Sequence, residues 1–322
     1  MRWIGAIPTA FVFALMGCAT GATAPVFEND LRVSGNPTIE LAPIHYAIAQ
    51  FGATQHGVSR GGIANLYKLA SGADIAGHAE TQALKNSLTY PSVRIILTAA
   101  EGHYRIVAKR SAGVRSVADL RGKKVATPQQ SSAHYYLHRV LQTAGMTDRD
   151  IEIIGLPLPP KDIALILADG KADAVALWEP EPQLAIERLG DDAIILDPDT
   201  GYRELYNLNT TAEKLADPVV RAKIVRFVAK VIEASTKMDA ETPGLIALVA
   251  QGTGYSEGAI RASWAHHTFP ATLAPDLLDT MMAEEAWLAE HAGRTARTRE
   301  ELAILIDPSI EAEARALLKA RK

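Results

Sequence analysis

Between Lys123 and Leu141 the chain reads KKVATPQQSSAHYYLHRVL, a stretch whose residue types suit binding rather than bond making. Val125 and Ala126, stopped by Pro128, mark the end of a strand. Tyr135, Leu137, Val140 and Leu141 recur at helical spacing. Gln129, Gln130, Ser131 and Ser132 stand between the two. A helix start presents backbone N–H groups without intrahelical partners, reinforced by the macrodipole, and serine hydroxyls add donors. An anionic or acceptor group fits such a place. The same serines can instead cap the helix, and both readings stay open here. No G-x-S-x-G, Walker or HExxH motif adds a catalytic signal.

The elements around this stretch come from a chain of 322 residues, 48% hydrophobic and 22% charged, ordinary for one or two globular domains. A formal charge of −4 gives no basic bias, so nucleic acid is not expected as a partner. At the N-terminus Arg2 precedes an apolar run, Trp3 to Leu15, too short for an ordinary membrane span. The run ends in Leu15-Met16-Gly17-Cys18, which resembles a bacterial lipoprotein signal with Cys18 as the lipidated residue. Cys18 is the single cysteine, which excludes an intramolecular disulfide and a multi-cysteine metal site. Residues 1–17 are therefore expected to be a signal peptide and 18–30 a tether.

Strands alternate with helices from there on. Leu31 to Val33 reads as a strand, Pro43 to Gln50 as a helix with proline in its first turn, and Gly61 to Ser71 as another helix. Ala73 to Gly77 is a strand, Thr81 to Leu88 a helix, and Val93 to Leu97 a buried β-branched strand. His103 to Lys109 is the next strand. A second set follows: strand Ile151 to Ile154, helix Asp162 to Ala168, strand Ala172 to Leu177, helix Glu181 to Leu189, strand Ala193 to Leu196. Beyond Thr211 the pattern is almost wholly helical. Two α/β sets predict two lobes with mostly parallel sheets, which present loops at the strand ends and close on a ligand by hinge motion.

Several phrases in order give the chain a resemblance to the periplasmic substrate-binding proteins of ABC importers, in the nitrate/sulfonate/taurine and thiamine-precursor (NMT1/THI5-like) group. They are Leu41-Ala42-Pro43, Leu69 to Ala76 (LASGADIA), Ser116 to Ala126 (SVADLRGKKVA), and Asp173-Ala174-Val175 leading to Trp178-Glu179-Pro180. The resemblance implies a type II periplasmic binding fold, α/β and two-lobed, with lobe I at 31–105, lobe II at 106–203, and a return to lobe I with C-terminal helices at 204–322. It implies a periplasmic or cell-surface protein, membrane-anchored through lipid only, that delivers a small molecule to an ABC permease and ATPase. An enzyme on the same fold, a dehydratase of a menaquinone pathway, is the alternative, as is a metal-binding or sensory lipoprotein. The group usually has glycine where Gln130 stands, a departure that bears on a sulfonate grip.

The resemblance also places ligand contacts on the loops after strands: Glu40, Pro43, His45, His78, Glu80 and Thr81 in the first lobe, Glu101 and His103 at the crossing. In the second lobe it implicates Gln130, Ser131, Ser132, His134, Trp178 and Glu179. Carboxylates in a closed cleft are costly unless paired, so they call for a donor-rich or cationic ligand part, and Trp178 offers a face for stacking. The histidines are read as loop residues, with no metal and no cofactor expected. Trp264, Trp287, His266 and His267 are read as packing or surface.

Overall fold

The path of the chain between two sheets sets the site. The computed structural model describes residues 30–68, 72–157 and 163–321. The signal segment, Cys18, all of the tether but Asp30, and the expected helix residues 69–71 and 162 lie outside these.

The chain lays down β1 (Val33–Gly35), α1 (Ala42–Phe51), β2 (Ser59–Arg60), β3 (Ile75–Ala79), α2 (Glu80–Ser87) and β4 (Val93–Gly102). His103 and Tyr104 carry it across to a second sheet. There it forms β5 (Arg105–Lys109), β6 (Lys124–Thr127), α3 (Ser132–Thr143), β7 (Glu152–Gly155), α4 (Ile163–Ala168), β8 (Ala174–Leu177), α5 (Glu181–Leu189) and β9 (Ala193–Leu196). The segment 197–203 leads back to β10 (Glu204–Thr211) in the first sheet. The rest is α6 (Ala212–Ala216), α7 (Pro218–Ser235), α8 (Leu245–Thr253), α9 (Glu257–Ser263), β11 (His267–Thr268), α10 (Leu277–Ala292), α11 (Arg299–Ala303) and α12 (Ser309–Ala320).

Among the described residues the first sheet runs β11-β4-β10-β3-β1-β2 and the second β7-β6-β8-β5-β9. Both are mixed. β1 pairs in parallel with β2 and β3, and β6 with β7 and β8, as the strand–helix alternation predicts. The two crossings add antiparallel ladders, β10 against β3 and β4, β5 against β8 and β9. A strand returning from the other lobe enters against the local direction, which alternation within a lobe does not reveal. The architecture is a two-lobed α/β fold.

Local signals explain the element ends. Pro43 opens α1, and Gly52 closes it at φ 56°, a left-handed position that glycine adopts freely. Asp217 accepts from the N–H groups of Val219 and Val220 while Pro218 takes the first turn of α7. The expected helix from Gly61 becomes a 3-10 turn, Ile63–Tyr67, because the Asn65 amide turns inward to Ser34 Oγ (2.7 Å) and the Arg60 carbonyl (3.0 Å). Each lobe has its own core. Leu97, Leu208, Phe227 and Val228 centre the first, with α12 packed on α7; Val107, Val125, Leu137 and Val175 centre the second. Each such buried side chain contributes about 1.5–3 kcal/mol.

Candidate functional site

Where the lobes face each other lies a cavity of about 30 Å³. The first lobe lines it with Asn36, Thr38, Glu40, His78, Gln82, Glu204 and Tyr206, the second with Ser131, Ser132 and Trp178. That volume holds about one water, whereas pockets for small organic molecules run to roughly 300 Å³ or more. With the lobes as they stand, the cavity leaves no room for an organic ligand.

Four polar atoms in the lining are buried and make no hydrogen bond of good geometry: Thr38 Oγ1, Glu40 Oε2, Glu204 Oε2 and the Tyr206 hydroxyl. Their nearest polar neighbours are one another, Thr38 beside Glu40 and Tyr206, and Glu204 beside Glu40 and Tyr104. Each buried group left without a good hydrogen bond costs about 1–3 kcal/mol. They sit on the turn after β1 and on β10, and converge because β10 runs beside β3 in the sheet centre. Gly102 on β4 leaves room for the two carboxyl groups: a Cβ there would stand 3.0 Å from Glu204 Oε2 and 3.2 Å from Glu40 Oε1.

The two carboxyls are unlike. Burial pushes Glu204 well above the usual carboxylate range, and the charges of Glu40 and Glu80 push it further. Glu204 is thus a neutral acid and a donor. Burial also opposes ionisation of Glu40, but hydrogen bonding and charge from His267, whose Nε2 lies 3.5 Å from Glu40 Oε1, outweigh it and hold Glu40 low. A buried acid beside a buried carboxylate gives the floor both a donor and an acceptor. Burial holds the His78 ring down to about 4, its Nδ1 accepts the Ala79 N–H (3.0 Å), and its Nε2 stands 3.3 Å from Asn36 Nδ2.

From the second lobe, Ser131 is the N-cap of α3. Its Oγ accepts from the His134 N–H (3.4 Å) and donates to the Pro128 carbonyl (2.6 Å). Ser132 Oγ meets the Tyr104 hydroxyl at 2.9 Å. Both hydroxyls line the cavity, yet both are already engaged by scaffold groups. Trp178 is half-buried, its ring centroid 6.3 Å from that of Tyr104. Gln130 sits at φ 53°, is exposed, and offers its carbonyl to Lys85 Nζ across the lobes (3.0 Å).

Of the residues expected at the site, Glu40, His78, Ser131, Ser132 and Trp178 come together at the cavity. The others go elsewhere. Pro43 is buried at the start of α1, and His45 packs against Gly252. Glu80 turns to Tyr202 (2.7 Å) and the Leu205 N–H (2.9 Å), and Thr81 is fully buried beside it on α2. Glu101 pairs with Arg203 (2.8 Å). His103 is exposed and lines a second cavity of about 280 Å³ with Asp197 and Tyr202, at the crossing. Glu179 accepts from Arg105 (2.6 Å) and Ser263 (3.0 Å). His134 faces Asp148 and Trp287 instead. Sequence reasoning missed Glu204, Tyr206 and His267. Glu204 and Tyr206 belong to the alternating strand that returns to lobe I, and that alternation was the available signal.

Such a fold, two α/β lobes joined by crossing strands with a polar cavity between them, defines the type II periplasmic binding architecture. Residues 67–243 match the family described as NMT1/THI5 like, more than half of the chain, and the chain belongs to that family. A putative aliphatic sulfonates-binding protein of Escherichia coli strain K12 is 30% identical over 174 residues, 53% of this chain and 51% of that protein. The chain thus spans about half the length of this curated relative or less of others. The periplasmic aliphatic sulphonate binding protein SsuA from Escherichia coli superimposes with a TM-score of 0.70 at 19% identity, covering 84% of this chain and 91% of its own. The alkanesulfonate-binding protein SsuA from Xanthomonas axonopodis pv. citri, bound to MOPS, gives 0.67 at 20% identity over 88% and 99%.

Proposed function

We propose that this protein is an extracytoplasmic solute-binding protein that captures a small polar organic molecule between its lobes and delivers it to an ABC permease and ATPase. The carrying observation is the convergence of four buried polar groups, none with a hydrogen bond of good geometry, on one interlobe cavity. A ligand with both donors and acceptors satisfies them and recovers their desolvation cost. Capture needs no reaction, so the protein works as a binder and not as an enzyme.

The floor selects the ligand. The Glu204 acid donates, Glu40 accepts, His78 and Asn36 add polar edges, and Trp178 supplies an apolar face. A sulfonate is a weaker fit than the relatives' names suggest. The carboxylate of Glu40 repels it, and the serine hydroxyls that would grip it are held by Pro128 and Tyr104. A heterocycle or ampholyte with an amide-like edge fits better.

The family setting supports a periplasmic address, and the Leu15-Met16-Gly17-Cys18 sequence supports a lipid anchor at Cys18. Cys18→Ala is expected to move the protein from the membrane pellet to the soluble fraction; continued pelleting counts against the anchor. A thermal-shift screen of sulfonates, pyrimidines, amines and amino acids tests the ligand class, since binding to the folded state raises the melting temperature. Calorimetry with the best hit should show Trp178→Ala weaker by about 1–3 kcal/mol. Unchanged affinity, or no hit outside the sulfonates, overturns this reading of the cleft.

A further inference from the structure

Away from the cavity, α3 of the second lobe packs against α10 of the first, and a cluster of nitrogen and oxygen donors closes the seam. His134 and His138 lie one turn apart on α3, Asp148 follows that helix, and His291 projects from α10. We propose that His134, Asp148 and His291 bind a divalent metal of the zinc class, and that the metal clasps the two lobes together.

The geometry carries it. One donor atom from each residue lies within 4.8 Å of the others. His134 is 3% exposed, and its Nε2 has no hydrogen-bond partner while aimed at Asp148 Oδ2, 3.8 Å away. Asp148 Oδ1 is likewise buried and unpartnered. His291 Nδ1 faces the Trp287 carbonyl at 2.9 Å, so it donates, and its Nε2 then points at Asp148 Oδ2 from 2.9 Å. In the tautomer that donates from Nδ1, His291 Nε2 keeps its lone pair and faces the cluster. The Nδ1 bond to a carbonyl is also how a ligating histidine is ordinarily fixed.

Two imidazoles and a carboxylate form a borderline donor set suited to zinc rather than to calcium or magnesium. His138 brings Nδ1 to 3.3 Å from the same Asp148 oxygen and steadies the carboxylate. The His291 side chain keeps 26% of its exposure, which leaves a path for a cation from solvent.

Ligation has one cost within the seam. The Gln130 N–H now donates to His134 Nδ1 (3.0 Å), and a metal on Nε2 places the ring proton on Nδ1. That bond is exchanged for a coordinate one, and the residue released is Gln130, held at φ 53° directly before the cavity serines. The metal therefore acts both on the seam and on the approach to the cleft.

The test is calorimetric titration of zinc into untagged, chelator-treated protein, with His291→Gln and Asp148→Asn beside wild type. The expected result is one equivalent bound by wild type and affinity at least tenfold weaker in both variants, with magnesium giving no heat. No saturable binding by wild type, or equal binding by all three, overturns the site. Melts in chelator check folding; His291→Gln, at a partly exposed position, decides alone if Asp148→Asn does not fold. Small-angle scattering tests the clasp: zinc at one equivalent should lower the radius of gyration of wild type and leave His291→Gln unchanged. An equal radius with and without bound zinc overturns the clasp.

Discussion

Glu80 and Glu284 bury two carboxyl groups side by side under the crossing strands, both fully shielded from solvent. The Tyr202 hydroxyl lies 2.7 Å from Glu80 Oε1 and 3.2 Å from Glu284 Oε1, and it has one hydrogen to give. Glu80 also accepts the Leu205 N–H. The second contact works when Glu284 is protonated. Burial raises both groups, and for Glu284 the charge of Glu80 is the next cause. The sign follows from proton counts: above the ordinary value of 4.5 the unfolded chain releases protons that the folded chain keeps. The pair's contribution is then full below that value and declines as pH rises toward the raised folded value. Glu284→Gln keeps the shape and removes the titration. Its melting temperature should match wild type at pH 5 and exceed it at pH 8; parallel profiles for the two proteins would sink this account.

At the scale of elements, α3 shows what one cap and one turn can do. Ser131 caps it, so Ser131→Ala should cost about 0.5–2 kcal/mol of stability and Ser131→Gly only a few tenths. Equal losses in denaturant melts would deny the cap. Gln130 before it occupies a left-handed conformation disfavoured for any residue with a Cβ by about 1–2 kcal/mol, partly offset by glycine's greater unfolded freedom. Gln130→Gly should raise stability by roughly 0.5 kcal/mol; a lowered melting temperature contradicts the strain. The sequence showed the strand–loop–helix here because Pro128 and the spacing of Tyr135 to Leu141 are local signals. The resemblance implied a glycine where Gln130 stands, and the observed φ of 53° is one that glycine adopts freely. Sheet order was not legible, since nothing local says that β10 inserts between β3 and β4. The cavity lining from Glu204 and Tyr206 stayed hidden with it. So did His267: beside His266 in a helical region it reads as surface, but β11 pairs with the end of β4 and brings it to Glu40. The four-residue spacing of His134 and His138 is local and stands in the sequence, while Asp148 and His291 join them only through tertiary packing.

For the whole molecule, the question is what holds the lobes shut over a cavity of about 30 Å³. Two hydroxyls of the C-terminal helical region reach across to the second lobe: Tyr255 to Glu181 Oε1 (2.7 Å) and Ser263 to Glu179 Oε2 (3.0 Å). α8 packs on α1 and α9 packs on α8, which ties these residues to the first lobe, while α9 also touches α5 of the second; Glu179 and Glu181 follow β8 there. Both bonds end on carboxyl groups, and bonds to charged groups contribute about 1.5–3 kcal/mol each when buried. The Tyr255 bond is only partly buried and belongs at the low end. The two crossings, His103–Tyr104 and 197–203, join the lobes, and hinge opening is expected to rotate there. Removing both hydroxyls in Tyr255→Phe/Ser263→Ala therefore shifts the population toward the open form without touching the cavity lining. The apparent dissociation constant rises by the inverse of the closed fraction, about tenfold for every 1.4 kcal/mol moved. Scattering should show a larger radius for the ligand-free double variant, and calorimetry a weaker affinity for the screened ligand with its stoichiometry unchanged. If radius and affinity both match wild type, closure rests on the cavity and the α3–α10 seam, and these two bonds are incidental to it.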